Sequence, residues 1–211
     1  MEGLSCEGAL CTILIQVAFD IQPFQMSGGP GWTQSDRFDI DAKPSASSKS
    51  SRSMPPYRKA PPNEEQRQML QSLLVERFHL KYHRETRDAP VYLLTKGGKA
   101  LNMEDSKDKD AYPWAGGLGG GGIMGDGLVG TNESMQDLAR RLSPYLGRMV
   151  LDRTGISGSF DFRFEYQSGD ERPDVVTAIL ASVQGIGLKL QPSTGPVDTI
   201  VIEYAEKPSA N

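Results

Sequence analysis

Cysteine and histidine are scarce in this chain of 211 residues, which contains two of each. Cys6 and Cys11 lie five positions apart in a segment predicted to be helical, where that spacing points the side chains about 140° apart. This geometry argues against an intrahelical disulfide, and a zinc site needs more ligands than the segment offers. We expect free thiols, buried or partly buried, which leave the compartment undetermined.

Long apolar runs are also absent, and none approaches the ~18–20 residues of a membrane span. The apolar stretch at residues 9–19 lacks a basic preceding region and a small-residue cleavage site, so it does not have the pattern of a signal peptide. The glycine run at 116–122 is not followed by Gly-Lys-Ser/Thr, so it is not a phosphate-binding loop. We predict no cofactor.

Excess charge of one sign is small, at a net −4, but it is unevenly distributed. Residues 1–42 carry one basic and six acidic side chains, whereas residues 43–99 carry twelve basic and five acidic ones. A basic middle favours either an anionic partner or a solvated cationic loop, and the solvated loop is the simpler interpretation.

Hydrophobic periodicity predicts an α+β protein. Leu10, Leu14 and Val17 recur at helical spacing, and Asn63 with Gln66 forms a capping box. The predicted helices lie at 7–20, 63–78, 132–146 and 173–184, and the third is expected to be capped by Asn132 or Ser134. Predicted strands lie at 37–43, 78–84, 90–96, 127–131, 149–152, 158–166, 187–191 and 198–204.

The order of these elements predicts a tandem duplication. Each copy is expected to run helix–strand–strand–helix–strand–strand, with mixed or antiparallel sheets packed on helices. The first repeat spans 1–99 with a flexible insertion at 44–62, a glycine-rich linker spans 100–126, and the second repeat spans 127–211. The first copy is expected to lack a strand that precedes the helix of the second. That absence indicates a truncated start, and the open position is expected to be either the place for a partner or an artefact of the truncation.

The histidines, His79 and His83, are predicted to lie in one strand with Lys81, all on the same face. Two histidines without neighbouring carboxylates do not make a metal site, and the intervening lysine opposes a cation. We predict a polar sheet face with no metal and no catalytic base, and we include Lys81 and His83 in a candidate interaction surface.

The other candidate surface residues are Trp32, Arg58 and Lys59. Trp32 follows a Ser-Gly-Gly-Pro-Gly turn, where it serves either as a binding residue or as a cover for the first helix. The basic residues near 58 lack the interleaved aromatic side chains of an RNA-binding platform, so we predict no nucleic-acid partner.

No catalytic residues are predicted. Asp152-Arg153-Thr154-Gly155 and the following Gly158-Ser159 contain no Gly-x-Ser-x-Gly elbow, and neither histidine lies in this half of the chain. These residues are interpreted as turns, with Asp152 and Arg153 as an exposed pair of small energetic value.

Several strings together resemble a large paralogous family of uncharacterised exported proteins from soil acidobacteria. They include residues 25–32, Arg37-Phe38-Asp39-Ile40, the segment Met69–Leu74 with Arg77-Phe78, residues 83–86, 152–158 and 206–209. Some members of that family are fused to antirepressor-type membrane metallopeptidases. Each repeat is also similar in element order to the short N-terminal domain of secretins and TonB-dependent receptors, most clearly from Met149 through Ile202.

The resemblance implies a periplasmic or extracellular protein, although this sequence shows no signal peptide. It establishes no catalytic residues. The leading expectation is a non-enzymatic interaction module of the bacterial cell envelope whose partner is another envelope protein. The alternatives are a ligand-sensing domain that regulates a partner membrane protease and, more distantly, a hydrolase. Nothing in the sequence indicates the oligomeric state.

Overall fold

The computed structural model describes residues 4–42, 62–117, 127–165 and 174–208, and it is an α+β protein. The described chain divides into two compact units. Unit 1 contains residues 4–42, 62–87 and 196–208, and unit 2 contains residues 88–117, 127–165 and 174–195. The predicted insertion at 44–62 falls outside the described residues except for Pro62.

The helices are α1 Cys11–Phe19, α2 Glu64–Phe78, α3 Met135–Leu146 and α4 Val175–Gly185. The strands are β1 Leu4–Leu10, β2 Met26–Gly28, β3 Arg37–Ala42, β4 Lys81–Lys96, β5 Glu104–Asp105, β6 Trp114–Gly117, β7 Gly127–Ser134, β8 Val150–Asp152, β9 Ser159–Glu165 and β10 Leu188–Tyr204. No helix among the described residues is both long and apolar enough to cross a membrane.

Unit 1 contains a two-stranded antiparallel sheet of β1 and β3. The short strand β2 runs parallel to the end of β10, with Met26 opposite Ile200. Its core packs α1 and α2 on these strands. Trp32, Phe38 and Phe78 form an aromatic group at its margin, with ring centroids 5.1 to 6.3 Å apart. The buried members of the core include Cys11, Leu14, Ile15, Leu70, Leu74, Leu80, Ile200 and Ile202.

Unit 2 contains a four-stranded antiparallel sheet in the order β5-β9-β7-β6. In this unit β8 runs parallel to the end of β4, with Tyr92 opposite Val150. Each fully buried aliphatic side chain of the core contributes about 1.5–3 kcal/mol through removal from water. The core residues include Leu94, Leu128, Met135, Leu138, Leu142, Val183, Ile186 and Leu188.

Local capping explains where α2 and α3 begin. The Asn63 side chain accepts a hydrogen bond from the Gln66 amide at 2.8 Å, and the Gln66 side chain accepts one from the Asn63 amide. These two bonds confirm the predicted capping box. Of the two predicted caps for α3, Ser134 is the one observed, and it accepts the amide of Asp137 at 3.0 Å. Pro144 lies inside α3, which ends two residues later at Leu146.

The predicted start of the first helix at Glu7 is wrong. Residues Leu4–Leu10 form β1, because pairing with β3 satisfies their backbone and Gly8, at φ 62°, produces a bulge. The helix begins only at Cys11. The prediction that the first half lacks a leading strand is therefore also wrong, since β1 precedes α1 as β7 precedes α3.

Two further predictions about strands are wrong. The separate strands predicted at 78–84 and 90–96 are one strand, β4, and those at 187–191 and 198–204 are one strand, β10. The polar residues between them are exposed on a continuous ribbon, where Thr86 donates to Asp198 at 2.6 Å. The predicted linker also contains β5 and β6, since a glycine-rich segment can pair as an edge strand.

The observed order is therefore strand–helix–strand–strand–helix–strand in each half of the chain: β1-α1-β2-β3-α2-β4 and then β7-α3-β8-β9-α4-β10. The predicted domain boundaries at 99 and 127 separate these two halves along the chain, and they stay a prediction. The compact units divide it differently, because the end of β4 belongs to unit 2 and the end of β10 belongs to unit 1.

Candidate functional site

The β1–β3 pair of unit 1 is built around a bulge between Cys6 and Ala9. Gly8 adopts the left-handed conformation there, at φ 62°. Its amide donates to Asp39 Oδ1 at 2.7 Å, and its carbonyl accepts from Arg37 Nη1 at 2.8 Å. Side chains of β3 thus satisfy the backbone groups that the bulge removes from the ladder.

The edges of this pair are the candidate site. β1 and β3 pair with each other, and no other strand in the described part of the chain pairs with either. Unpaired strand edges present backbone donors and acceptors that pair readily with another chain. On α1, Ile13 is 45% exposed although it is a large apolar side chain, and Val17 lies one turn later, half-buried.

The β7–β9 pair of unit 2 has the same construction. Its bulge lies between Gly130 and Glu133, and Asn132 adopts the left-handed conformation at φ 48°. The Asn132 amide donates to Asp161 Oδ1 at 2.8 Å. This hydrogen bond is the largest of the causes that hold the pKa of Asp161 below its usual range.

Both edges of the β7–β9 pair are covered. β6 pairs antiparallel with β7, and β5 pairs antiparallel with β9. The Asn132 side-chain nitrogen donates hydrogen bonds to the carbonyls of Lys109 at 3.1 Å and Ala111 at 2.7 Å. These bonds hold the loop between β5 and β6.

Glu133, directly after the bulge, is fully buried. Its Oε1 lies 2.5 Å from Nε of Arg141 on α3, and Arg141 Nη2 donates to the carbonyl of Pro113 at 2.7 Å. Burial raises the pKa of Glu133, while the bond to Arg141 opposes that rise. Within the described residues, its second oxygen has no hydrogen-bond partner. The pair therefore anchors the residue that precedes β6.

Of the residues selected from the sequence, Trp32 lies in a short 3-10 helix, Gly31–Gln34, and is partly buried. It stacks on Phe78 at 6.3 Å between ring centroids and meets Phe38 edge to face. These contacts favour the packing interpretation of Trp32 over the binding interpretation.

The structure does not bring the histidines and Lys81 together in one strand. His79 is the left-handed residue that ends α2, at φ 47°, so its predicted place in a strand is wrong. Lys81 and His83 lie exposed on β4. The Lys81 ammonium lies 5.5 Å from the Tyr204 ring centroid, and His83 Nδ1 lies 2.6 Å from Glu203 Oε1.

Arg58 and Lys59 lie outside the described residues. Thr154 and Gly155 form the predicted turn, with the Thr154 amide donating to Asp152 Oδ1 at 2.8 Å and Gly155 at φ 64°. Arg153 contacts the Asp152 main-chain carbonyl at 3.3 Å. Among the described residues, no group of three or more His, Cys, Asp or Glu side chains is arranged to hold a metal ion.

Sequence reasoning did not select β1, Glu133 or Arg141. One signal was available, because the two halves share a Phe-Asp dipeptide, Phe38-Asp39 and Phe160-Asp161, whose carboxylates bind the two bulges. The burial of Glu133 has no local signal, since its partner lies on the next element.

Comparisons with known proteins give one match. A search of curated proteins and a search of solved structures each found no significant similarity. A family model described as "Protein of unknown function (DUF3738)" matches residues 12–205, which is most of the chain. The chain therefore belongs to the DUF3738 family of proteins of unknown function.

Proposed function

We propose that this protein is a non-enzymatic interaction module of the bacterial cell envelope, which binds a partner protein by strand pairing at the β1–β3 pair. One observation supports this proposal above the others. The β1–β3 pair has no described strand at either edge, whereas the similarly built β7–β9 pair has one at each. Addition of a strand to an exposed edge is a recurring mode of peptide recognition.

The envelope location and the acidobacterial source rest on the resemblance of the sequence to exported proteins. The proposal also includes a duplication of one ancestral unit. Its support is the shared element order and the repeated bulge, in which a left-handed residue gives its amide to an aspartate, Asp39 or Asp161.

The alternatives have less support. A ligand-sensing domain calls for an apolar pocket, and a depression in unit 2 has two lysines, Lys99 and Lys189, in its lining. A hydrolase calls for a buried acid–base pair in a cleft. Glu133 is buried, but its partner is the guanidinium group of Arg141, which offers only hydrogen-bond donors and is not a general base.

The test is affinity capture from an envelope fraction with the full chain as bait, followed by hydrogen exchange on the captured complex. We expect a partner that slows exchange of backbone amides in β1 or β3. The amides of β7 are an internal control, because both of its edges are already paired and should change little. A partner that protects only other segments, or capture of no specific protein, would contradict the proposal.

A further inference from the structure

The two bulges place β1 and β7 in residue-by-residue correspondence. Ala9 follows the first bulge and lies opposite Phe38, and Glu133 follows the second and lies opposite Phe160. The same alignment continues from each strand directly into the next helix, since α1 begins two residues after Ala9 and α3 two residues after Glu133. Unit 2 is therefore a template for the surroundings of β1.

The template shows what occupies the outer edge of β7. The segment Trp114–Gly117, with the sequence Trp-Ala-Gly-Gly, runs antiparallel to it and is buried from Ala115 onward. At Gly116 a side chain would meet the segment's own tryptophan, because an added Cβ would lie 2.6 Å from the Trp114 ring. The residues of β7 that pair with this segment are Leu128 to Thr131, and they correspond to Leu4 to Glu7 of β1.

The helices that follow β7 and β1, which are α3 in unit 2 and α1 in unit 1, differ in the chemistry of their side chains. In unit 2, Arg141 holds the Pro113 carbonyl, directly before β6. The corresponding residue on α1 is Val17, and one turn earlier Ile13 stands where α3 has Asp137. A segment that approaches β1 in the manner of β6 would therefore pass apolar side chains instead of a guanidinium group.

We propose that the outer edge of β1 binds an uncharged, extended partner segment that runs antiparallel to it. The segment has small residues at its last three pairing positions and an apolar residue directly before its strand, which packs on Ile13 and Val17. This inference rests on the proposed function, because it specifies the partner of the same strand edge. The exposed Ile13 supplies the apolar contact, and the backbone of β1 supplies the hydrogen bonds.

The test uses a fluorescent synthetic peptide with the sequence of residues 112–117, Tyr-Pro-Trp-Ala-Gly-Gly, titrated with the full chain. We expect saturable binding by fluorescence anisotropy, and loss of binding when the alanine and glycine nitrogens are methylated. Ile13→Asp should weaken binding by about tenfold, because a charge replaces the apolar contact. Tyr145→Asp is the matched control, since Tyr145 is 43% exposed on α3 and Ile13 is 45% exposed on α1.

Three outcomes would overturn the inference: no peptide binding, binding insensitive to N-methylation, or equal effects of Ile13→Asp and Tyr145→Asp. Sedimentation of the chain alone tests whether a second copy of it occupies the edge of β1. A dimer that Ile13→Asp converts to a monomer would show that the second copy, and not a separate partner segment, binds there. A captured partner that protects β1 while the peptide fails to bind would overturn only this inference. If no partner protects β1 or β3 either, the proposed function fails with it.

Discussion

The bulge of β1 against β3 and the bulge of β7 against β9 have one construction and different surroundings. In both, a residue with positive φ donates its amide to an aspartate on the neighbouring strand. The next residue is Ala9 in unit 1 and Glu133 in unit 2, and both are buried. In unit 2 the carboxylate holds Arg141, which in turn holds Pro113 beside β6. Two strand pairs with the same backbone bulge thus differ in a few side chains. Those side chains determine whether a further strand is held at the edge of the pair.

Removal of Arg141 should have the largest effect on stability. The variant Arg141→Val introduces valine, which is the residue at the corresponding position of unit 1, Val17. It leaves the Glu133 carboxylate buried without its cationic partner. A buried charge that loses its partner typically costs 3–5 kcal/mol, and we expect about 3 kcal/mol because Arg141 is 25% exposed. Urea denaturation of the full chain near neutral pH measures the loss. A loss under about 1 kcal/mol would show that the pair does not stabilise unit 2.

The control for this prediction is the double variant Glu133→Ala with Arg141→Val, which copies Ala9 and Val17. We expect it to recover most of the loss, since an apolar pair replaces the buried ions at little net cost. The pKa of Glu133 is raised above its ordinary value of 4.5, so the cost of its charge is absent below that pH and grows as pH rises through the folded pKa. Without Arg141 the pKa rises further, and the deficit of the single variant should shrink on acidification. A deficit independent of pH would exclude the charge of Glu133 as its cause.

Much of the fold could be predicted from the sequence, because hydrophobic periodicity and caps are local. The capping box at Asn63 and the cap at Ser134 were predicted and are confirmed. β1 was predicted as helix because its glycine bulge depends on β3, which lies about thirty residues later. The long strands were divided because their polar middle residues are exposed on a ribbon, a context set by cross-strand pairing.

The candidate site was less predictable than the fold. An open edge is defined by which strands fail to pair, and the strand that covers the equivalent edge in unit 2 was predicted as linker because of its glycines. Glu133 and Arg141 are eight residues apart across a strand–helix junction, a spacing with no local signature. Trp32 was selected for its size and its loop, and its contacts with Phe38 and Phe78 depend on elements that lie elsewhere in the chain.

The two aspartates should differ in energy although they make the same hydrogen bond. We expect Asp161→Ala to cost about 1.5 kcal/mol, and Asp39→Ala about 0.5 kcal/mol because Asp39 is exposed to competing water. The pKa of Asp161 is lowered from 3.8, so its contribution is present above that pH and is lost as pH falls through the folded pKa. Denaturation at a series of pH values measures both variants. Equal losses, or an Asp161→Ala deficit that persists at the lowest pH, would contradict the assigned role of the carboxylate.

Substitution at Gly8 should have a smaller effect than Asp161→Ala, and it tests whether the bulge needs glycine itself or only a left-handed residue. A Cβ at Gly8 would have Arg37 atoms as its nearest neighbours, at 3.9 Å, so the cost comes from φ and not from crowding. We expect Gly8→Ala to cost about 1 kcal/mol and Gly8→Asn about half as much, because asparagine adopts this conformation at lower cost. Asparagine already occupies the corresponding position in unit 2, at Asn132. Thermal denaturation of the two variants measures the difference. If Gly8→Asn were as costly as Gly8→Ala, the two bulges would not be interchangeable, and the use of unit 2 as a template for the edge of β1 would lose its geometric basis.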